Sequence, residues 1–187
     1  MPPPNLIIVS LETSGPDPAQ HEILELSAIA LNACALETHR FVRVVNYDYT
    51  LFPEGHPRRP DQETIDLYTG NGLWAECLAA TLTENDLATE FAEWLESIEA
   101  SAVELAGLSP HLVLPFLTLR LPAAAAYFGD RLRDVGAVVR ELVSAGKVAT
   151  YQGRTASLHR ATLWSEAQLN DFGAVRELLA QLHDPSP

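Results

Sequence analysis

The chain has 187 residues, 47% hydrophobic and 20% charged, with a formal net charge of −13. That composition excludes a disordered chain and predicts one globular domain, residues 1–187, with a well-buried core. The strong negative charge excludes broad, non-specific binding to a nucleic-acid duplex, which needs many phosphate contacts.

No apolar run reaches the roughly 18 residues that would span a bilayer. The opening Met-Pro-Pro-Pro lacks the basic segment and apolar core of a secretory signal, so a cytoplasmic protein without membrane attachment is expected. Two cysteines, Cys34 and Cys77, fit small core hydrophobes rather than a disulfide framework or a metal knuckle. The charge is uneven. Arg120 to Arg160 carries seven basic residues against three acidic ones, and the chain before it is strongly acidic.

Leu6–Leu11 reads as a buried strand closed by the turn Ser14-Gly15-Pro16-Asp17-Pro18. Glu22–Asn32 and Arg40–Val45 read as the next two strands, spaced for an antiparallel meander. Pro53–Pro60 is a proline-rich loop whose Arg58 and Arg59 are expected in solvent. Thr83 is a good N-cap, with Asp86 three residues on as a capping-box acid. Leu87, Phe91, Trp94, Leu95 and Ile98 then recur at helical spacing and are expected in the core. Val103–Leu105 is a short strand ending at Gly107, and Pro110 opens a helix to Leu119. Ala123–Phe128 is a turn or short helix, Leu132–Val135 a candidate strand, and Gly136–Ser144 a helix ended by Gly146. Ala161–Leu182 is the last helix. Strands first, then strands alternating with helices, predict an α/β sandwich around a mixed sheet.

The chemistry centres on "IIVSLETSGPDP". Two carboxylates one residue apart at a strand end point to one side, because strand side chains alternate. Such a D-x-E can ligate Mg²⁺, and two ions about 4 Å apart can activate water and stabilise the leaving oxygen in phosphodiester cleavage. Here Glu12 is present, but Ser10 stands where the aspartate is needed.

Several segments in order carry a resemblance. Ser10-Leu11-Glu12-Thr13-Ser14-Gly15 falls on a D-x-E-T/M-T-G motif, and Tyr68-Thr69-Gly70-Asn71-Gly72-Leu73 on H-T-x-x-G-L with tyrosine for histidine. Residues 107–117 match G-N-S-x-x-F-D-x-x-F-L, and His159-Arg160-Ala161 begins H-R-A-L-x-D. The sequence thus resembles the DEDDh 3′–5′ exonucleases of the RNase H-like fold, most closely the oligoribonuclease branch, over nearly its whole length. The resemblance implies an α/β fold, an RNase H-like mixed five-stranded sheet flanked by helices. It also implies a homodimer, a general base at His159, and phosphate-contacting positions at Ser109 and Arg131. Asp130 stands where the family has an aromatic residue that reaches the partner's active site.

The departures weigh against catalysis. Ser10 and Val113 replace two metal-binding aspartates, and Val113 is expected to turn inward as a helix residue. Five residues after His159 stands Trp164, again no ligand. Omitting residues 162–168 (TLWSEAQ) aligns Asp171 with the third aspartate, as though seven residues were inserted. If helical, the insertion turns about 700° and moves Asp171 roughly 10 Å along the axis relative to His159; otherwise it is a bulged loop. Glu166 is an alternative ligand.

Loss of two negative charges from a site for two Mg²⁺ predicts loss of the two-metal route. The expected protein is a degenerate oligoribonuclease-like one, with Glu12 and His159 vestigial and Glu12 and Asp171 at most weak metal ligands. No cofactor is expected, or Mg²⁺ or Mn²⁺ if hydrolysis persists. Its groove would take a short oligonucleotide, a nucleotide or a protein partner. The alternatives are an active 3′–5′ exonuclease with substitute ligands such as Glu12, Asp171 and Glu166, and a purely structural partner subunit.

Overall fold

The computed structural model of the protein describes residues 3–144 and 160–183. Strands β1 (Leu6–Thr13), β2 (Ile23–Leu31) and β3 (Glu37–Val44) form the expected antiparallel meander. β4 (Val103–Gly107) joins β1 in parallel, and β5 (Phe128–Asp134) joins β4 in parallel. The described residues thus make a mixed five-stranded sheet of order β3-β2-β1-β4-β5. β2 is buried along its whole length, because helices cover both of its faces.

Helices α1 (Gln62–Gly70), α2 (Leu73–Ala79), α3 (Glu84–Ser97), α4 (Pro110–Arg120), α5 (Pro122–Ala125), α6 (Val135–Ser144) and α7 (Ala161–His183) complete the described fold. Thr83 and Asp86 make the predicted capping box at α3, and Leu87, Phe91 and Leu95 pack with Ile7, Val9, Leu26 and Phe41. Burying each such side chain contributes about 1.5–3 kcal/mol. α1 and α2 are absent from the sequence reading. Asp61 caps α1 by accepting from the Thr64 N–H at 2.8 Å, a start signal obscured by the proline-rich loop before it.

One expectation is corrected in that loop. Arg58 pairs with Glu22 and lies over the Phe52 ring, while Arg59 donates to the Phe52 carbonyl at 2.7 Å and lies over Tyr49. Arg58 is nonetheless exposed, as expected, whereas Arg59 is only partly so. Cys77 is buried as expected, but Cys34 is exposed. The predicted helix end at Gly146 lies outside the described residues, and β5 begins four residues earlier than the candidate strand.

Leu6, Ile8, Ser10 and Glu12 alternate onto one face of β1. Their partners on β2 are Leu31, Ile29, Ser27 and Glu25. This face changes from apolar to hydroxyl to carboxylate along the strands, and α7 covers it in matching order. Leu169 and Phe172 pack on Leu6, Ile8, Ile29 and Leu31. Gln168 meets Ser10, and the first turn of α7 meets Glu25. Ser10 and Glu25 therefore find their α7 partners in this register, which holds the helix on the sheet. At the rim, β5 has no further strand beside it among the described residues, and Asp130, Arg131 and Arg133 stand exposed along it.

Candidate functional site

The carboxylate end of β1 opens into a cleft of about 320 Å³ between β1, α1, α4 and α7. Five residues singled out from the sequence gather there: Ser10, Glu12, Ser109, Val113 and Trp164. Strand alternation brings Ser10 and Glu12 to the same side. Ser109 opens α4, and its hydroxyl donates to the Leu108 carbonyl at 2.6 Å. Val113, one turn on, lines the cleft half-buried while packing against the core.

Glu12 is buried, and its Oε2 accepts from the Tyr68 hydroxyl at 2.6 Å. Tyr68 is itself held edge-on against Trp74, with ring centroids 5.4 Å apart. The phenol thus occupies the histidine position of the H-T-x-x-G-L pattern and serves as a donor to the carboxylate. Ser10 is also buried, and its Oγ accepts from Gln168 Nε2 at 2.9 Å. Gln168 is only 4% exposed, and its Oε1 is buried with no hydrogen-bond partner. Gly107 makes room for it. A Cβ there would lie 3.1 Å from Gln168 Oε1 and 3.3 Å from the Val9 carbonyl.

Residues 162–168 form regular helix, not a bulged loop, because they lie within the unbroken α7. Trp164 and Gln168, one turn apart, share the face that walls the cleft. Glu166 points elsewhere and pairs with Arg40 at 2.9 Å. Asp171 is half-buried and does not line the cleft; burial pushes its carboxyl above the usual range. Arg131 lies on β5 and lines a different groove with Asn5, Asn32 and Arg133, so the structure does not bring it to Ser109. His159 lies outside the described residues.

Sequence reasoning missed Gln168 and the anchor of α7. Glu25 stands opposite Glu12 and is 1% exposed. It accepts from Arg160 Nε at 3.0 Å and from the Ala161 N–H at 2.7 Å, as an N-terminal helix cap would. Arg160 also reaches Glu76 at 2.6 Å. Its hydrogen bonds to Glu76 and Glu25 hold the guanidinium well above its ordinary range, and Arg160 holds Glu76 below the usual carboxylate range. The i, i+4 spacing of Trp164 and Gln168 was the available signal for Gln168; nothing local marks Glu25 as a cap for a helix 136 residues away.

No family model and no curated protein matches the chain. Solved structures do match its fold. It is similar to the RNase domain of the yeast Pop2 protein, with TM-score 0.64 and 12% identity over 93% of this chain and 77% of that one. It is similar to S. pombe Pop2p in a Mg²⁺- and Mn²⁺-bound form, with TM-score 0.64 and 9% identity over 93% and 83%. It is also similar to E. coli exonuclease I in complex with a dT13 oligonucleotide, with TM-score 0.69 and 15% identity over 96% and 42%. The chain spans less than half of exonuclease I. The fold is RNase H-like, a mixed five-stranded sheet flanked by helices, as the sequence predicts.

The described cleft residues do not fit a magnesium pair. Mg²⁺ needs near-octahedral oxygen ligands and leans on carboxylates. Glu12 is the single carboxylate among the described lining residues, the Ser10 hydroxyl is engaged by Gln168, and Val113 has no donor atom. No group of three His, Cys, Asp or Glu side chains gathers to hold a metal among the described residues.

Proposed function

We propose that the protein is a degenerate, oligoribonuclease-like DEDDh protein that holds the end of a short oligonucleotide in its cleft without cleaving it by the two-metal route. The Gln168–Ser10 hydrogen bond carries this reading: an amide from α7 stands at the position a metal-binding aspartate needs. Val113 and Trp164 extend the same replacement across the cleft. The two-metal mechanism depends on charges acting as a unit, and removing members of such a unit costs orders of magnitude in rate.

Binding is favoured by what remains. The cleft persists, with apolar walls from Leu67, Leu112 and Phe116 and hydroxyls from Thr13, Thr64 and Ser109. Apolar walls with a few convergent polar groups suit a small planar ligand such as a nucleobase. Exonuclease I, of like fold, forms a complex with dT13. The motif resemblance supports a homodimer as the working form. No helix among the described residues is long and apolar enough to cross a membrane.

The test is fluorescence anisotropy with labelled RNA and DNA dimers to pentamers at low salt, paired with product analysis in Mn²⁺. Saturable binding with intact oligonucleotides is expected. Trimming of RNA from its 3′ end, abolished by Glu12→Gln, would make the protein an enzyme. Absence of any nucleotide binding by a stable dimer would leave it a structural subunit.

A further inference from the structure

A ligand strand in the cleft has to place its phosphates somewhere else. Among the described residues no lysine or arginine lines the cleft, and Glu12 would repel a phosphate there. A second groove, of about 470 Å³, begins where the cleft ends, because Gly15 and Pro16 line both. Four nitrogen-bearing side chains line that groove: His21, His56, Arg59 and Gln62, and the Gln62 amide is engaged in donating to Asp66 at 2.7 Å. We propose that it is a phosphodiester-binding subsite, taking the first backbone phosphate of a strand whose terminal nucleoside sits in the cleft. The proposal rests on the oligonucleotide reading above.

The histidines are oriented for this work. Nδ1 of His56 accepts from the Arg58 N–H at 3.1 Å, so in the neutral ring Nε2 carries the hydrogen. Nδ1 of His21 lies 3.1 Å from both the N–H and the carbonyl of Asp17. A neutral His21 can accept from the first, and a protonated one can donate to the second. With Nδ1 accepting from the Asp17 N–H, Nε2 carries the ring hydrogen and is a donor. Its position is the seam between the two cavities: a Cβ on Gly15 would lie only 2.4 Å from it. Only glycine lets the imidazole edge come this close to the backbone of the shared wall. Arg59 is fixed by its bond to the Phe52 carbonyl and its place over Tyr49.

The acids in the same groove set its selectivity. Glu54 and Asp61 also line it, and Asp61 is committed to capping α1. The groove therefore lacks the excess positive charge of a general polyanion site. It suits one phosphodiester, with a single negative charge, met by directed N–H donors.

Imidazole ¹⁵N NMR of the full chain, titrated with inorganic phosphate at low salt, reads the groove without any nucleotide. A saturable shift of the His21 and His56 Nε2 signals is expected, weakened about tenfold in Arg59→Gln. Calorimetry then compares a nucleoside with the corresponding 3′,5′-dinucleotide. The dinucleotide should bind about tenfold tighter, an advantage lost in His56→Asn, which keeps an acceptor for the Arg58 N–H but removes Nε2. Phosphate that leaves both histidines unmoved, or an advantage untouched in both variants, would overturn the subsite. Histidines that respond to phosphate while neither nucleoside nor dinucleotide binds would uphold the groove as an anion site and refute the oligonucleotide reading.

Discussion

Glu12 and Glu25 lie directly opposite each other on β1 and β2, both buried on the face beneath α7. Like charges across strands repel, so each needs its own compensation. Glu12 takes the Tyr68 hydroxyl, and Glu25 takes Arg160 and the first N–H of α7. Arg160→Met leaves a buried carboxylate without its cation and should cost about 3–5 kcal/mol. Adding Glu25→Gln should recover part of the loss, since a neutral amide needs no counter-charge. Urea unfolding of the three chains measures this; a single variant as stable as wild type contradicts it.

The Arg160–Glu76 pair gives a pH signature. Arg160 lowers the folded-state pKa of Glu76 below its ordinary value of 4.5. A group with a depressed folded pKa contributes stability that is present above the unfolded pKa and lost as pH falls through the folded one. The difference between wild type and Glu76→Gln should therefore stay level from pH 6 to 8 and shrink below the usual carboxylate range. Half the Glu76 side chain is exposed, so added salt should also reduce the difference. Unfolding measured across pH checks this, and a difference that grows on acidification would be the wrong sign.

Ser10 and Gln168 should behave as a coupled pair. Removing one partner of a buried hydrogen bond costs about 1–3 kcal/mol, whereas removing both can approach neutrality. Ser10→Ala and Gln168→Leu should each destabilise, and the double variant should fall short of their sum by about 0.5–3 kcal/mol. Additive losses would mean that the bond does not hold α7 to β1.

Putting the two aspartates back should not restore an exonuclease. Ser10→Asp with Val113→Asp supplies charge, but Trp164 and Gln168 still wall the cleft and Asp171 still lies outside it. We expect no Mn²⁺-dependent release of nucleotides from short RNA. Cleavage by that double variant would show that α7 yields readily.

The two cysteines should differ sharply. Cys34 is exposed, whereas burial, helped by the nearby carboxylates of Glu25 and Glu76, pushes the Cys77 thiol up to about 12. Since the thiolate is the reactive form, a thiol reagent should label Cys34 in the native protein and reach Cys77 only in denaturant. Rapid double labelling under native conditions would indicate opening around α2.

β1 was legible because the unbroken run Leu6-Ile7-Ile8-Val9, closed by a Gly-Pro turn, has few alternatives to a buried strand, and β2 and β3 because β-branched and apolar residues recur along short segments between turns. α1 was not, because Thr64, Thr69 and Gly70 weaken its helical pattern and a proline-rich loop precedes it. At the site, Ser10, Glu12, Ser109, Val113 and Trp164 could be placed together by motif order alone. Gln168 could be reached only through its i, i+4 spacing from Trp164, and Glu25 not at all, since its role depends on how α7 registers against β2. Arg131 shows the converse: it matched by position in the chain, yet β5 carries it to another groove.

The charged rim at β5 bears on how this chain keeps its own company. A sheet edge with open backbone groups invites strands from other molecules to stack indefinitely, and charges along that edge are a common deterrent. Asp130, Arg131 and Arg133 stud the rim with ions that a stacking strand would have to strip of water. Neutralising them should make the protein prone to fibril growth even if its fold is undisturbed.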